Sequence, residues 1–151
     1  MIRSGGKADI RLVLDTSAYS HFRAGHPRVL DMIAEALVFV PTVVIGELEA
    51  GFVLGRRERE NRMLLAEFLE EPFVSILPVT PSVARNYGRL FADLRKAGTP
   101  IPINDIWIAA TTLDCGGHLL TFDGDFDKMP SVDRTVLPVP ERPSTPPRSA
   151  A

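Results

Sequence analysis

The sequence predicts an α/β fold in which helices cover both faces of a mainly parallel sheet. Short apolar segments that favour strands alternate with longer segments of helical periodicity along most of the 151 residues. Glycine, proline and hydroxyl residues separate these segments, where turns and helix caps are needed. In such sheets ligands bind beyond the carboxyl ends of the strands, so the residues that follow strands are the first candidates for a functional site.

Five short apolar segments are the predicted strands, and two of them end at acidic residues. The first, residues 10–15, ends with Asp15, and the fourth, residues 118–122, is followed by Asp123 and Asp125. The other three strands are predicted at residues 38–41, 73–79 and 134–139. We expect the strand-end acids to lie at one edge of the sheet, because the carboxyl ends of parallel strands share an edge.

Six segments have the periodicity of helices. They are residues 16–25, 27–37, 42–55, 58–71, 82–98 and 104–117. Thr42 is the predicted cap of the third helix, and Thr80 with Pro81 is the predicted start of the fifth. The fifth helix ends at Gly98, which suits a helix end, and it has one apolar stripe. The stripe consists of Val83, Tyr87, Leu90, Phe91 and Leu94.

Composition limits the classes of protein that fit. With 45% hydrophobic and 24% charged residues, the chain is expected to form one globular domain. This domain is predicted at residues 10–139, between a flexible extension at 1–9 and a disordered proline-rich tail at 140–151. The single Cys115 excludes an internal disulfide. The chain has no apolar run of roughly 18 residues and no signal-peptide core, so the expected compartment is the cytoplasm, with no membrane partner.

Each acid at a strand end or helix start has an ordinary structural explanation. Asp15 could cap the helix that follows it. Asp105 could interact with the dipole of its helix behind an Asn104 cap. Asp123 and Asp125 could be turn residues. No single one of these residues establishes a site.

Glu47 and the convergence of the acids favour a metal site. The helix that contains Glu47 is apolar on almost every side, so this carboxylate needs a partner. Two carboxylates about 5 Å apart repel by about 3 kcal/mol at an effective dielectric constant of about 20, and four would repel by roughly 20 kcal/mol in total. Such a group must take up protons or cations. Mg²⁺ or Mn²⁺ fits oxygen ligands, whereas zinc is disfavoured because the cysteine is alone and the histidines lack a ligand spacing.

Three segments of the sequence carry a family resemblance. They are LVLDTSAY, PTVVIGELEAGF and PINDIWIAATTLDCGGHLLTFDGDF, and the likeness extends over residues 10–139. In this order they resemble the successive signatures of the PIN domain family, and more narrowly of VapC-type toxins. The resemblance implies a PIN-like three-layer α/β/α fold with a mainly parallel central sheet. It also implies an endoribonuclease that depends on Mg²⁺ or Mn²⁺ and is the toxin of a toxin–antitoxin pair.

The resemblance assigns roles to the acids by position. Asp15 and Asp105 are implied as the main metal ligands, and Glu47 completes the site. Asp123 is implied as the fourth catalytic acid. Asp125 competes with Asp123 for this role as a metal ligand, because the motif around them is the shorter form. Asp123 is preferred because it lies nearer the strand end.

The implied reaction is hydrolysis of an RNA phosphodiester by a metal-activated water. It leaves a 5′-phosphate and a 3′-hydroxyl and does not need the RNA 2′-hydroxyl. Either Glu47 or Asp123 would orient the water or take its proton. Thr16, Ser17 and Thr121 could orient the site, although capping and turn roles also explain them.

The expected partners are an RNA substrate, a cognate VapB-type antitoxin and a second copy of the chain. The net charge of −2 provides no general attraction for RNA, so local basic clusters are the candidates for phosphate contacts. The main cluster is Arg56, Arg57, Arg59 and Arg62, and further candidates are Arg85, Arg89, Arg95 and Lys96. The main cluster is equally typical of a solvated helix face with alternating charge pairs. Apolar surface on the helices at 42–54 and 81–97 is the predicted homodimer contact.

Three other functions fit parts of the sequence. A phosphatase or response-regulator domain also uses a strand-end aspartate, but residue 17 is Ser where the phosphatase pattern has a second aspartate. A PIN-fold nuclease of RNA processing and a PIN-like binding module with weak catalysis are the two alternatives within the family. A small DNA-binding antitoxin encoded beside this gene would favour the toxin.

Overall fold

A parallel sheet of five strands forms the centre of the molecule. The computed structural model describes residues 10–141. The strands are β1 (Arg11–Leu14), β2 (Leu37–Pro41), β3 (Val74–Leu77), β4 (His118–Thr121) and β5 (Arg134–Val136). Their order across the sheet is β3-β2-β1-β4-β5, and each neighbouring pair is parallel. The predicted parallel sheet is therefore confirmed.

Six helices flank the sheet. They are α1 (Thr16–Arg23), α2 (Pro27–Ala34), α3 (Thr42–Leu54), α4 (Glu58–Glu70), α5 (Pro81–Ala97) and α6 (Ile103–Cys115). Each lies where the sequence predicts a helix, with ends that differ by up to three residues. A short 3₁₀ helix, Gly124–Lys128, follows β4 in place of a predicted turn. This arrangement is the predicted three-layer α/β/α class.

The two central strands place the chain ends that carry the acids side by side. β1 and β4 are fully buried at Val13, Leu14, Leu119 and Leu120, because helices cover both faces of the sheet. Leu14 pairs with Leu120, so the residues that follow the two strands leave the sheet as neighbours. The backbone N–H of Asp15 extends this pairing by donating to the carbonyl of Leu120.

Two predicted helix starts are wrong by one or two residues. Thr42 does not cap α3: it is the first helical residue, Pro41 precedes it, and its hydroxyl donates to the carbonyl of Leu77 at 2.9 Å. Asn104 does not cap α6, which begins at Ile103. Thr80 does cap α5, because its hydroxyl accepts the N–H of Val83 at 3.2 Å.

The apolar stripe of α5 is only partly core. Val83, Leu90 and Leu94 are buried, whereas Phe91 is 39% exposed. Tyr87 is half-buried and stacks on Trp107, a residue of α6. Further large apolar side chains are exposed at the end of α3, where Leu54 is 88% exposed.

Two predictions fall on the ends of the chain. The expected extension at 1–9 and nearly all of the expected tail at 140–151 lie outside the described residues. Within residues 10–141, no helix is long and apolar enough to cross a membrane.

Candidate metal centre

The acids selected from the sequence come together at the carboxyl edge of the sheet. Asp15 follows β1, Asp123 follows β4, and Asp105 lies in the first turn of α6. Carboxylate oxygens of Asp105, Asp123 and Asp125 lie within 4.8 Å of one another. The charges of Glu47 and Asp15 also act on Asp105. These side chains thus form one electrostatic group, although they are separated by up to 110 positions in the sequence.

Asp15 is held by three neutral donors. Its Oδ1 accepts the N–H of Ala18 at 2.8 Å and the hydroxyl of Ser17 at 2.7 Å. Its Oδ2 accepts the hydroxyl of Thr121 at 2.5 Å. Burial raises the pKa of Asp15, which is 4% exposed, and the three hydrogen bonds oppose that rise. Asp15 therefore caps α1, as one interpretation of the sequence has it, and also lies in the acidic group.

Asp105 has very different surroundings. Burial, followed by the charge of Asp123 and a hydrogen bond to it, raises the pKa of Asp105 to about 7. The charges of Glu47 and Asp15 raise it further. Among residues 10–141, no neutral side chain or backbone N–H donates to this carboxylate. At neutral pH the group is therefore balanced between holding a proton and repelling its neighbours.

Glu47 is oriented by side chains from two other helices. The hydroxyl of Thr16, at the start of α1, donates to Oε1 of Glu47 at 2.7 Å. The amide of Asn104 lies 3.5 Å from Oε2. The next acid on α3, Glu49, faces elsewhere and pairs with Arg62. These contacts explain why an acid is present in a helix that is otherwise almost entirely apolar.

Asp123 and Asp125 both belong to the acidic group, but their contacts differ. The charge of Asp123 acts on Asp15 and on Asp105. Its Oδ1 accepts the N–H of Asp125 at 2.9 Å and so caps the 3₁₀ helix. Asp125 pairs with Lys128 at 3.3 Å, which offsets part of its charge. Asp123 is thus the more central of the two.

The donor set fits a hard divalent ion. Oxygen ligands on opposite sides of such an ion are about 4–5 Å apart, and the carboxylate oxygens of Asp105, Asp123 and Asp125 lie within 4.8 Å of one another. The three residues offer oxygen ligands alone, without histidine or cysteine, and this chemistry suits Mg²⁺ or Mn²⁺. Within residues 10–141, no lysine or arginine pairs with Asp15, Glu47 or Asp105 to take the place of an ion.

The predicted arginine cluster divides into two classes. Arg62 donates to Glu49 and to Glu58, each at 2.9 Å, as the interpretation of alternating charge pairs expects. Arg56, Arg57 and Arg59 are exposed and have no ion pair within residues 10–141.

A groove adjoins the acidic group on the outer face of α3. Its volume is about 580 Å³, and Glu47 and Asn104 form one part of its wall. The rest of the lining is apolar or small: Val43, Gly46, Ala50, Gly51 and Leu54. A second cavity, about 560 Å³, lies beside the start of β1 and β4 and contains none of the predicted site residues.

Comparison with known proteins shows which family the sequence matches. The sequence model of the PIN domain family matches residues 12–132, a range that includes all five acids of the site. The chain is 33% identical over 118 residues to Ribonuclease VapC5 of Mycobacterium tuberculosis, covering 76% of this chain and 84% of that protein. It is 32% identical over 94 residues to Ribonuclease VapC4 of the same organism, covering 62% and 72%.

A solved structure with the same fold comes from Mycobacterium tuberculosis, the organism of these two relatives. It is described as a member of the VapBC family of toxin–antitoxin systems, VapBC-5, from Mycobacterium tuberculosis. The TM-score is 0.67 at 29% identity, and the match covers 85% of this chain and 98% of that one. The family match, the relatives and the fold agree, and this chain therefore belongs to the PIN domain family, in its VapC group.

Proposed function

We propose that this chain is a divalent-metal-dependent endoribonuclease and the toxin of a VapBC-type toxin–antitoxin module. The observation that carries the proposal is the contact between Asp105 and Asp123: burial, and after it the charge of Asp123, raises the pKa of Asp105 to about 7. A divalent ion relieves this repulsion and gives both groups a function. The names of the relatives VapC4 and VapC5 support ribonuclease activity.

Asp105, Asp123 and Asp125 would hold the ion, because their carboxylate oxygens lie within 4.8 Å of one another, and Asp15, whose charge acts on Asp105, would be a further ligand. When bound, Mg²⁺ or Mn²⁺ supplies a water of lowered pKa and neutralises charge on the phosphate. Asp15 cannot turn away from the site, because three donors fix its two oxygens. Asp105 is the group that exchanges its proton for the ion.

Glu47 would accept the proton of the attacking water. Thr16 occupies Oε1, and the contact of Asn104 with Oε2 is long, so Oε2 is the oxygen that can accept. Water would attack the phosphorus, and the bond from phosphorus to the 3′ oxygen would break. The departing 3′ oxygen would take up a proton from solvent, which leaves a 5′-phosphate and a 3′-hydroxyl. We propose Arg56, Arg57 and Arg59 as the phosphate contacts, because their guanidinium groups lack partners within the described residues.

Two protein partners follow from the exposed apolar surfaces. The groove on α3 joins an apolar wall to the acidic group, and it would suit an antitoxin segment with apolar side chains and one basic side chain that reaches Glu47. Phe91, which is 39% exposed, extends the apolar surface of α5 and would lie in a homodimer contact. The cytoplasm remains the compartment we propose from the sequence.

The test is cleavage of total RNA, with the cut ends mapped. Wild-type protein is incubated with Mg²⁺, Mn²⁺ or a chelator, beside Asp105→Asn and the control Asp114→Asn. Asp114 lies on the same helix, is exposed and contacts Ser82 instead of the site. We expect metal-dependent cuts with 5′-phosphate ends for wild type and Asp114→Asn and none for Asp105→Asn. Cleavage that continues in chelator, or by Asp105→Asn at the wild-type rate, would contradict the proposal.

The partner proposals have their own measurement. Light scattering of the full chain should give the mass of a dimer at micromolar concentration, and Phe91→Glu should shift the mass towards the monomer. A monomeric wild type would contradict the proposed homodimer and would leave the nuclease assignment unchanged.

A further inference from the structure

Two hydroxyl groups connect the ends of the two central strands. The hydroxyl of Ser17 donates to Oδ1 of Asp15 at 2.7 Å and accepts the backbone N–H of Phe122 at 3.0 Å. The hydroxyl of Thr121 donates to Oδ2 of Asp15 at 2.5 Å and accepts the backbone N–H of Asp123 at 2.9 Å. Each hydroxyl thus contacts one oxygen of Asp15 and one amide of the segment that carries Asp123.

The direction of these bonds is fixed by chemistry. A backbone N–H can only donate, and an ionised carboxylate can only accept. A hydroxyl has one proton and two lone pairs, so it fits between them in one orientation. Replacing it with a methyl group leaves both an amide and a carboxylate oxygen of the site without that partner.

Capping does not account for the two hydroxyls. The carboxylate of Asp15 caps α1 by accepting the N–H of Ala18, so Ser17 is not needed for that purpose. Thr121 is the last residue of β4 and is completely buried. Each hydroxyl reaches a distant part of the chain: Thr121 and Asp15 are 106 positions apart, and Ser17 and Phe122 are 105 positions apart. Their contacts serve the spacing of the two strand ends.

We propose that Ser17 and Thr121 are positioning residues that hold the Asp123 carboxylate in register with Asp15 and thereby set the affinity of the site for a divalent ion. The proposal rests on the function proposed above. An ion with ligand bonds of about 2.1 Å tolerates little change in the separation of its ligands. The backbone amides of Phe122 and Asp123 are the points at which the two hydroxyls fix the Asp123 segment to Asp15.

A ring contact reinforces the position of Phe122. The imidazole of His21 stacks on the ring of Phe122 with 3.7 Å between centroids. Nδ1 of His21 lies 2.8 Å from the carbonyl oxygen of Ser17, one turn earlier on α1. The first turn of α1 therefore holds Phe122 through the Ser17 hydroxyl and, by way of His21, through its ring.

The experiment compares Mn²⁺ affinity in matched variants of the full chain. Ser17→Ala and Thr121→Val each remove one hydroxyl, and Thr121→Ser keeps it. Thr112→Val and Ser20→Ala are the controls, because Thr112 is equally buried but its hydroxyl donates to the carbonyl of Ile108 within α6, and Ser20 is exposed on α1. The affinity is read by electron paramagnetic resonance of free Mn²⁺, and exchange of the Asp123 amide is followed by NMR.

We expect Ser17→Ala and Thr121→Val to bind Mn²⁺ about 10-fold to 100-fold more weakly than wild type. Thr121→Ser should stay within about threefold of wild type, and both controls should be unchanged. The Asp123 amide should exchange faster in Thr121→Val than in Thr112→Val. A loss of stability alone would lower the folded fraction without this pattern of rescue.

The contradicting results are distinct from failure of the proposed function. Wild-type affinity in both Ser17→Ala and Thr121→Val would overturn the proposal, as would equal weakening in Thr112→Val. If Thr121→Val does not fold, Ser17→Ala decides by the same titration. Wild-type protein that binds Mn²⁺ but cleaves no RNA would contradict the nuclease assignment alone, and wild-type protein that binds no Mn²⁺ would contradict both.

Discussion

Asp15 and Asp105 lie in one acidic group, yet Asp15 is surrounded by hydrogen-bond donors and Asp105 by other carboxyl groups. Asp15 is 4% exposed and receives three hydrogen bonds from neutral donors. Asp105 is half-buried, and its carboxyl group interacts with those of Asp123, Glu47 and Asp15. The hydrogen bonds of Asp15 are therefore made without an ion. The ionised carboxylate of Asp105, in contrast, is favourable in the folded protein only when a proton or a cation neutralises it.

At Asp105, the activity of the protein and the stability of its metal-free form place opposite demands on the side chain. The three donors to Asp15 offset part of the cost of burying its charge. A group surrounded by like charges serves the site and weakens the metal-free fold. The two acids should therefore respond alike to substitution in an activity assay and unlike in a stability assay.

The largest expected effect is on catalysis, and here the two acids should not differ. Asp15→Asn and Asp105→Asn should each lower the rate of RNA cleavage by about 100-fold or more, because a lost ligand removes several kcal/mol of charge stabilisation from the transition state. Single-turnover cleavage of a labelled RNA in Mg²⁺ measures this, with Asp114→Asn as the control. A rate within a few-fold of wild type for either variant would remove that acid from the ligand set.

The second effect is on the pH dependence of stability: burial raises the pKa of both acids, but only Asp15 has hydrogen bonds that oppose the rise. Asp105 has a pKa of about 7 in the folded protein against an ordinary value of 3.8, so the native state binds its proton more tightly than the unfolded chain does. Stability from this group is then present at about pH 4 and is lost as the pH rises towards 7. Asp105→Asn avoids that loss.

In chelator at pH 8, Asp105→Asn should unfold at a temperature a few degrees above wild type. The expected gain is about 1–2 kcal/mol after allowance for solvent screening of a half-buried group. The advantage should shrink as the pH is lowered towards 4. Thermal unfolding by circular dichroism measures it, and an equal or lower melting temperature at pH 8 would contradict the surroundings assigned to Asp105.

Asp15→Asn should not gain stability in this way, because the hydrogen bonds that it loses outweigh the relief of the burial that raises the pKa of Asp15. An amide can accept through one atom only, so it cannot receive the hydroxyls of both Ser17 and Thr121 as the carboxylate does. We expect a loss of about 1–2 kcal/mol in the free energy of unfolding in chelator at pH 8. Urea unfolding monitored by fluorescence gives the value, and a stabilised Asp15→Asn would show that repulsion outweighs hydrogen bonding on the strand side as well.

The smallest effect concerns the arginines, where the structure again contrasts partnered with free groups. Arg57→Ala should weaken RNA binding and reduce its salt dependence by about one ion, because its guanidinium has no partner within residues 10–141. Arg62→Ala should change RNA binding little and lower stability only slightly, because exposed ion pairs contribute little. Filter binding at several salt concentrations compares the RNA affinity of the two variants. Identical salt slopes would contradict the distinction between partnered and free arginines.

The sequence predicted the fold and the site acids for the same reason. Strand and helix periods are local properties, and the carboxyl ends of parallel strands share an edge whatever the details of packing. Asp15 and Asp123 could therefore be placed together from their positions after apolar segments. Glu47 was recognisable because an acid in an apolar helix needs a partner.

Local sequence patterns do not predict contacts between distant segments of the chain. The hydroxyls of Ser17 and Thr121 occupy positions where capping and turn roles are ordinary, and their bridging roles depend on strand order and register. Thr42 was placed as a cap because threonine often is one, but the carbonyl of Leu77 on β3 offers its hydroxyl another acceptor. Such choices are made by tertiary structure.

The most direct test of the central claim is the titration of the Asp105 carboxyl by ¹³C NMR in the metal-free protein. We expect a pKa of about 7, which should fall by several units when Mg²⁺ is added because the ion replaces the proton. An ordinary pKa near 3.8 in chelator, unchanged by Mg²⁺, would contradict it.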